Sequence, residues 1–186
     1  MPLITVEGLD GAGKTTLVES LSRELKVQAL REPGGVALSE RIRDLVKSSD
    51  CDPRTEALLF AAARAELCAQ VIEPALAAGK TLVVDRFVDS SLAYQGGGRE
   101  LGIETVRALN AFAPKPDRTL LLRIEAGVAL ARIDVRGEGD RFEQLEFLQR
   151  VAAAYDALAA AEPERFMIID ASQPPEAVLA AAAEWL

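Results

Sequence analysis

Histidine is absent from the 186 residues of the sequence. That absence excludes Ser-His nucleophilic catalysis, histidine-ligated metals and an imidazole general base. Phosphoryl transfer to an acceptor that is itself a phosphate remains open. Its oxygen is largely ionised near neutral pH, with a second pKa of about 6, so no base has to remove a proton.

Cysteine is scarce, and basic residues are outnumbered by acidic ones. Cys51 and Cys68 show neither metal-site nor redox spacing, so we expect free thiols in a reducing compartment. The formal net charge of −8 argues against a nucleic-acid or anionic-membrane surface, because both need a basic face. We see no basic leader segment and no apolar run long enough to span a bilayer. We therefore expect a cytoplasmic protein with no nucleic-acid or membrane partner.

The most informative segment is a glycine-rich stretch between an apolar run and a helical pattern. It has the spacing Gly-x-x-x-x-Gly-Lys-Thr, in the strand-to-helix context that this motif requires. Glycines let the backbone N–H groups face a polyphosphate, Lys14 adds a full charge, and the Thr15 hydroxyl can bind Mg²⁺. A glycine turn without function is the alternative. It is disfavoured because the preceding strand, the following helix, Lys14 and Thr15 all occur together. The predicted nucleoside triphosphate site comprises Gly8, Leu9, Asp10, Gly11, Ala12, Gly13, Lys14, Thr15 and Thr16.

Apolar runs alternate with helical patterns along the chain, which is typical of a parallel sheet with crossover helices. We therefore expect one α/β domain over residues 1–186, with strands that are short and apolar enough to be buried on both faces. The predicted strands are Leu3–Glu7, Val27–Arg31, Thr81–Asp85, Thr119–Ile124 and Phe166–Asp170. The predicted helices are Thr15–Leu25, Leu38–Lys47, Arg54–Ala78, Ile103–Phe112, Gly127–Ile133, Phe142–Ala161 and Pro175–Leu186.

Ligands of such sheets bind beyond the carboxyl ends of the strands, so the segments 31–35, 85–87 and 170–174 should converge with the phosphate loop. Asp85 stands where nucleotide-binding folds place a carboxylate near Mg²⁺, and Arg86 offers a planar fork for a phosphate. A purely structural Asp85–Arg86 ion pair is the alternative.

Two further groups of side chains could contact a base or a sugar. Phe60 and Arg64 lie four residues apart on a predicted helix and therefore share a face. Taken alone, such a pair is more often core and packing. Ser90, Ser91 and Tyr94 could border a sugar or a base, and a bare helical turn fits their spacing equally well.

Residues 131–143 alternate arginine with acidic residues and glycine, which indicates a mobile flap, with a lid at about 134–144. Arginines there could neutralise charge on a transferring phosphoryl group. A solvated charged loop is the alternative, but Lys14 is the only basic residue of the phosphate loop.

Five segments, in this order, resemble those of bacterial thymidylate kinases: residues 8–16, 31–35, 59–65, 85–87 and 93–99. The similarity extends to residues 172–174, and the second and fifth segments are more specific than the phosphate loop. The resemblance implies a three-layer P-loop NTPase fold with a five-stranded parallel sheet and a short basic lid. It also implies transfer of the γ-phosphoryl group of ATP to dTMP with Mg²⁺, giving dTDP and ADP, by a homodimer.

For the donor side, the resemblance implies that Lys14 and the loop backbone hold the ATP phosphates. Thr15 and Asp85 would order Mg²⁺. Asp10 would approach both the metal region and the 3′-hydroxyl of the acceptor sugar, and Arg132 could stack on adenine near the backbone of residues 171–173.

For the acceptor side, it implies that Arg86 grips the dTMP phosphate, Phe60 stacks on thymine and Arg64 donates to its O4. Ser91 would lie near the pyrimidine, and Tyr94 would crowd the 2′ position and disfavour ribose. The full acceptor set is Asp10, Phe60, Arg64, Arg86, Ser91, Tyr94 and Gln95.

The lid arginines Arg136 and Arg141 match the family subgroup whose phosphate loop lacks an extra arginine, and Gly11-Ala12 stands in that place here. The catalytic set implied by the resemblance is Lys14, Arg86, Arg136 and Arg141. Two positions depart from the common pattern: alanine at 63 where many members have aspartate, and Phe87 where tyrosine or histidine is commoner.

Two other functions remain open at this point. One is a different nucleoside monophosphate kinase on the same scaffold. The other is a slow nucleotide-driven switch, which is disfavoured because the sequence has neither an Asn-Lys-x-Asp guanine-binding motif nor an early lysine in the phosphate loop.

Overall fold

The computed structural model describes residues 2–133 and 141–186, with the backbone alone at 141–143. Its centre is a five-stranded parallel sheet of order β2-β3-β1-β4-β5. The predicted α/β fold with a five-stranded parallel sheet is therefore confirmed. The strands are β1 Leu3–Gly8, β2 Gln28–Arg31, β3 Leu82–Asp85, β4 Arg118–Arg123 and β5 Phe166–Asp170.

Helices flank the sheet on both faces, which makes three layers. The α-helices are α1 Lys14–Leu25, α2 Ala37–Ser48, α3 Pro53–Leu67, α4 Glu73–Ala77, α5 Val88–Ser91, α6 Ile103–Leu109, α7 Ala126–Arg132, α8 Arg141–Ala161 and α9 Pro175–Trp185. Two π-helical segments, Cys68–Ile72 and Leu92–Gly98, join α3 to α4 and extend α5. Within the part of the chain that the structure describes, no helix is long and apolar enough to cross a bilayer.

The expectation that every strand is buried on both faces is wrong for the two edge strands. Gln28, Ala29 and Arg31 of β2 are exposed, as is Ile168 of β5. An edge strand has a neighbour on one side only, so its side chains are less completely covered. The inner strands β1 and β3 are buried along their whole length.

The second strand also begins one residue later than predicted. Lys26 adopts φ 53°, a left-handed conformation that ends α1, and the N–H of Val27 still bonds to the carbonyl of Ser22. Val27 therefore belongs to the helix cap, because residues after a left-handed C-terminal position complete the capping hydrogen bonds.

The predicted helix over residues 54–78 is continuous, but its middle widens at Cys68–Ile72. The N–H of Glu73 bonds to the carbonyl of Cys68, five residues back. Pro74 follows directly and has no N–H to donate. The widened turn therefore lies where the regular series of i to i−4 hydrogen bonds would be interrupted.

The helical segment 88–98 was not predicted beyond a possible first turn. Three consecutive glycines argue against a helix in the sequence. In the structure, Gly97 and Gly98 allow the segment to pack closely against α8. A Cβ on Gly97 would lie 2.5 Å from the Cβ of Ala154, and one on Gly98 would lie 2.6 Å from a ring carbon of Phe147. Only glycine permits so close an approach.

Candidate active site

A cavity of about 600 Å³ opens at the carboxyl edge of the sheet. The phosphate loop, the segment after β2, the segment after β3 and one face of α3 line it, which confirms the predicted convergence of segments 31–35 and 85–87 with the loop. The predicted convergence of segment 170–174 on the same cavity is wrong, because β5 is the edge strand on the far side of β1 from β3 and β2. The predicted site residues that line it are Asp10, Gly11, Gly13, Lys14, Thr15, Thr16, Phe60, Arg64, Asp85, Arg86, Ser91, Tyr94 and Gln95. Four others, Gly8, Leu9, Ala12 and Arg132, lie outside its lining.

The phosphate loop folds through glycines with positive φ, 80° at Gly11 and 91° at Gly13. Gly8 is sterically obligatory, because a Cβ there would lie 2.5 Å from the carbonyl oxygen of Leu122 in β4. Helix α1 starts at Lys14, directly after the loop. Its first N–H groups and its dipole therefore face the anion position that the sequence predicts.

The Lys14 ammonium is buried and donates a 2.7 Å hydrogen bond to the carbonyl of Leu9. Burial, aided by the positive charge of Arg86, lowers the pKa of Lys14 to about 8. The lysine is thus held inside the loop, and the carboxylates near it do not fully offset its burial and the charge of Arg86. A bound polyphosphate would supply further negative charge.

Thr15 and Asp85 form the oxygen pair predicted for a metal. The Thr15 hydroxyl donates to the Asp85 carboxylate across 2.7 Å, which brings α1 and the end of β3 together. A hydroxyl and a carboxylate oxygen suit Mg²⁺, which binds few protein groups and takes its other ligands from phosphate and water. The residues present therefore fit the ion that the resemblance implies.

Arg86 pairs with Asp10 of the phosphate loop, so the alternative of a purely structural Asp85–Arg86 pair is not what forms. Its Nη2 donates to Asp10 Oδ1 across 2.6 Å, and its guanidinium lies 4.8 Å from the Tyr94 ring centre. Burial would raise the pKa of Asp10, but the charges of Arg86 and Lys14 outweigh it and hold that pKa below its usual value. The loop carboxylate is therefore ionised at neutral pH.

Phe60 and Arg64 share the cavity-facing side of α3, as their spacing predicts. Arg64 is 2% exposed, and four of its five N–H groups bond to neighbouring oxygens. Those acceptors are Glu32 Oε2 at 2.7 Å, Ser91 Oγ at 3.1 Å, the Phe87 carbonyl at 3.0 Å and the Asn110 side-chain oxygen. Arg64 is thus both a packing residue and a cavity residue, and its fifth N–H has no acceptor among the residues that the structure describes.

Sequence reasoning gave no role to Glu32 and Glu56, two carboxylates that shape this site. Glu32 is buried, burial raises its pKa to about 7, and its Oε1 has no hydrogen-bond partner in the described part of the chain. Gln95 donates to Glu56 across 2.8 Å, and Arg99 pairs with the same carboxylate at 3.0 Å. The available signal was a carboxylate at the carboxyl end of a strand, which applies to Glu7 in β1 and to Glu32 directly after β2.

The adenine-side residue Arg132 lies where the phosphate loop meets the segment after β5. Its Nη1 donates to the carbonyls of Gly11, at 3.3 Å, and Ala171, at 3.2 Å. Stacking on adenine stays a prediction. The lid position Arg136 lies outside the described residues, and of Arg141 the structure gives only its place at the start of α8.

Comparison with known proteins places this geometry in a family. The sequence model of the family described as "Thymidylate kinase" matches residues 6–182 of the chain. The chain belongs to the thymidylate kinase family. The resemblance inferred from the sequence segments is therefore confirmed.

Similar thymidylate kinases come from several bacteria. The chain is 47% identical to that of Oenococcus oeni, over 94% of this chain and 90% of the relative. It is 48% identical to that of Latilactobacillus sakei, over 95% and 90%. A crystal structure of thymidylate kinase from Ehrlichia chaffeensis superposes with a TM-score of 0.85 at 30% identity, covering 99% of this chain and 97% of that one.

The depressed pKa of Lys14 predicts that ATP binding takes up protons. In the free protein the lysine is about half neutral at pH 8, and a bound polyphosphate would restore its charge. Calorimetric titration at pH 8 in two buffers of different ionisation enthalpy should show uptake of about half a proton per ATP. ATP affinity should also fall as pH rises through 8.

The matched control is Lys14→Arg, because a guanidinium does not deprotonate in this range. That variant should bind ATP without the Lys14-dependent uptake. Equal proton uptake in both proteins would show that the lysine is already fully charged in the free state.

Proposed function

We propose that this chain transfers the γ-phosphoryl group of ATP to dTMP, giving ADP and dTDP, as a step toward dTTP for DNA replication. One observation carries the proposal. In a member of the thymidylate kinase family, the lysine of a phosphate loop and the arginine fork after β3 face the same cavity.

The proposed chemistry needs no general base. The acceptor phosphate is already largely ionised near neutral pH, which agrees with the absence of histidine. Lys14 with the N–H groups of the loop would hold the donor phosphates, and Arg86 would hold the acceptor phosphate. Catalysis would then consist of alignment and charge neutralisation, both large terms in phosphoryl transfer.

Thr15 and Asp85 would hold Mg²⁺, with Asp10 close by. When bound, the ion would neutralise charge on the donor phosphates. The protein's own part is to present the two oxygens, which already lie 2.7 Å apart. Asp10 would also meet the 3′-hydroxyl of the acceptor sugar.

The base and sugar of dTMP would occupy the end of the cavity between α3 and the helix after β3. Phe60 would stack on thymine, and Arg64 would use its remaining N–H for thymine O4. Ser91 would lie near the pyrimidine and is held by Arg64. Tyr94 would crowd the 2′ position, and the neighbouring Gln95 completes the lining of this end.

The oligomeric state, the cellular location and the partners remain predictions from sequence. The resemblance implies a homodimer, and the composition implies a cytoplasmic protein that binds neither nucleic acid nor membrane.

A monophosphate panel tests the proposed function. With ATP and Mg²⁺, ADP formation should be fast with dTMP and much slower with dCMP, dGMP and AMP, while dUMP reports tolerance at the 5-methyl position. Preference for a purine would overturn the substrate. ADP formation independent of any acceptor would instead support a nucleotide-driven switch.

Removal of the Arg86 guanidinium should weaken the use of dTMP and leave ATP binding largely unaffected. Arg86→Ala should lower kcat/KM for dTMP by about 10²–10³-fold, because one preorganised charged donor typically contributes this much. ATP affinity should fall much less than dTMP affinity, because Lys14 and the glycine backbone of the loop remain, although the variant also removes the contact with Asp10. Arg86→Lys should recover little, because an ammonium lacks the planar fork. Near-wild-type turnover and dTMP affinity in Arg86→Ala would contradict the proposed role.

The lid arginines should act mainly on turnover. Arg136→Ala and Arg141→Ala should each lower kcat more than they weaken nucleotide binding, because the lid charge is proposed to meet the transferring phosphoryl group. Arg107→Ala removes one arginine from an exposed pair with Glu104 and serves as the charge-matched control. A defect confined to binding would count against the lid role.

A further inference from the structure

Glu7 is a fully buried carboxylate that does not line the cavity. It lies in β1, directly before the phosphate loop, with a side chain 0% exposed. Burial, with the negative charge of Asp89, raises its pKa above the ordinary value, and the hydrogen bonds from Ser90 and Phe87 and the charge of Arg86 oppose that shift. Its placement therefore requires an explanation beyond packing.

Donors on two other elements surround this carboxylate. Oε1 accepts the backbone N–H of Phe87 at 2.7 Å. Oε2 accepts the Ser90 hydroxyl and, at 2.9 Å, the Tyr155 hydroxyl of α8. A carboxylate accepts only, so it matches three donors that converge on one point.

The first consequence concerns the backbone of Arg86. This residue has φ 67°, a left-handed conformation that is unfavourable for a residue with a Cβ. Its own N–H bonds to the carbonyl of Val6 at 3.0 Å, and the next N–H bonds to Glu7. Both peptide groups around Arg86 are thus bonded to β1, and this holds the left-handed turn.

The second consequence concerns the Arg86 side chain. Nη1 donates to Ser90 Oγ across 3.1 Å. Ser90 has a single hydroxyl proton, and because that proton goes to Glu7, a lone pair faces the guanidinium. Nη2 is then directed at Asp10 across 2.6 Å. The hydrogen bonds run from Glu7 through Ser90 to Arg86 and end in the phosphate loop.

We propose that Glu7 is a positioning residue for the acceptor phosphate, holding the backbone turn and the guanidinium of Arg86 in the direction that faces the cavity. The inference rests on the function proposed above, in which Arg86 binds the phosphate of dTMP. Glu7 itself touches no substrate.

Glu7→Gln tests this proposal with little change of volume. The amide keeps one acceptor for Phe87 but presents N–H groups to the Ser90 and Tyr155 hydroxyls, which must turn. The dissociation constant for dTMP, measured calorimetrically, should rise about tenfold, as expected when one charge-assisted hydrogen bond is lost. The dissociation constant for ATP should stay within about twofold.

Asp89→Asn is the matched control for simple loss of stability. Asp89 is also buried and lies beside Ser90, but it pairs with Arg165 at 2.6 Å and has no contact with Arg86. That variant should lower the melting temperature and leave dTMP affinity unchanged. If Glu7→Gln behaves in the same way, Glu7 is only structural and the proposal is wrong.

Arg86→Ala in the same titrations separates the two proposals. Unchanged dTMP binding in Arg86→Ala would overturn the role of Arg86 itself. A dTMP defect in Arg86→Ala without one in Glu7→Gln would overturn the positioning role alone. So would equal losses of ATP and dTMP affinity in Glu7→Gln, which indicate general loosening.

Ser90→Ala provides a second variant, also usable if Glu7→Gln does not fold. Ser90 itself lines the cavity, so the double variant separates an effect that passes through Glu7 from a direct contact between Ser90 and dTMP. It removes the hydroxyl between Glu7 and Arg86 and should weaken dTMP binding in the same direction. The double variant should be no worse than the stronger single one, because both changes break one chain of contacts. Unchanged dTMP affinity in Ser90→Ala, or additive effects in the double variant, would contradict the proposal.

Discussion

The ion pair between Arg86 and Asp10 joins the two halves of the cavity. Its 2.6 Å contact links the end of β3 to the phosphate loop, and the rest of the site is arranged around it. The pair lies close to Lys14, so two positive charges share a small, partly buried volume. Such an arrangement is unfavourable alone and would become favourable on binding of the phosphates that the proposed function places there, because their negative charge would offset the repulsion. The constraint that shapes the site is therefore electrostatic.

Buried carboxylates also compensate or position the arginines of the site, from positions outside or at the edge of the cavity. Glu32 pairs with Arg64 at 2.7 Å, and Glu7 lies behind Arg86. Breaking a buried pair by removing one partner costs about 3–5 kcal/mol, because the other charge is left uncompensated. An acidic protein can thus place arginines at an anion site and still bury their stems, since each has a carboxylate or hydroxyl partner behind it. The partners hold the arginines in place before any substrate binds.

Local patterns predicted most of the fold and the lining of the cavity. The phosphate loop was recognisable because its spacing determines its backbone, and Phe60 and Arg64 faced one cavity because four residues make one helical turn. The helix over residues 88–98 was missed, since its glycines meet α8, a contact with no local signature. The roles of Glu7 and Glu32 were missed for the same reason. Their donors come from residues 80 and 32 positions away.

The sequence by itself determined the chemistry: a triphosphate-binding loop, an arginine fork, no histidine base, and a resemblance that specifies the acceptor. Those features are local, so neighbouring residues encode them. Only the tertiary structure decided that Arg86 pairs with Asp10 and not with Asp85, that Arg64 bonds to four oxygens around it, and that the left-handed turn at Arg86 is held by hydrogen bonds to β1. These outcomes depend on hydrogen bonds between distant strands and helices, and such bonds are defined only when the whole sheet has assembled.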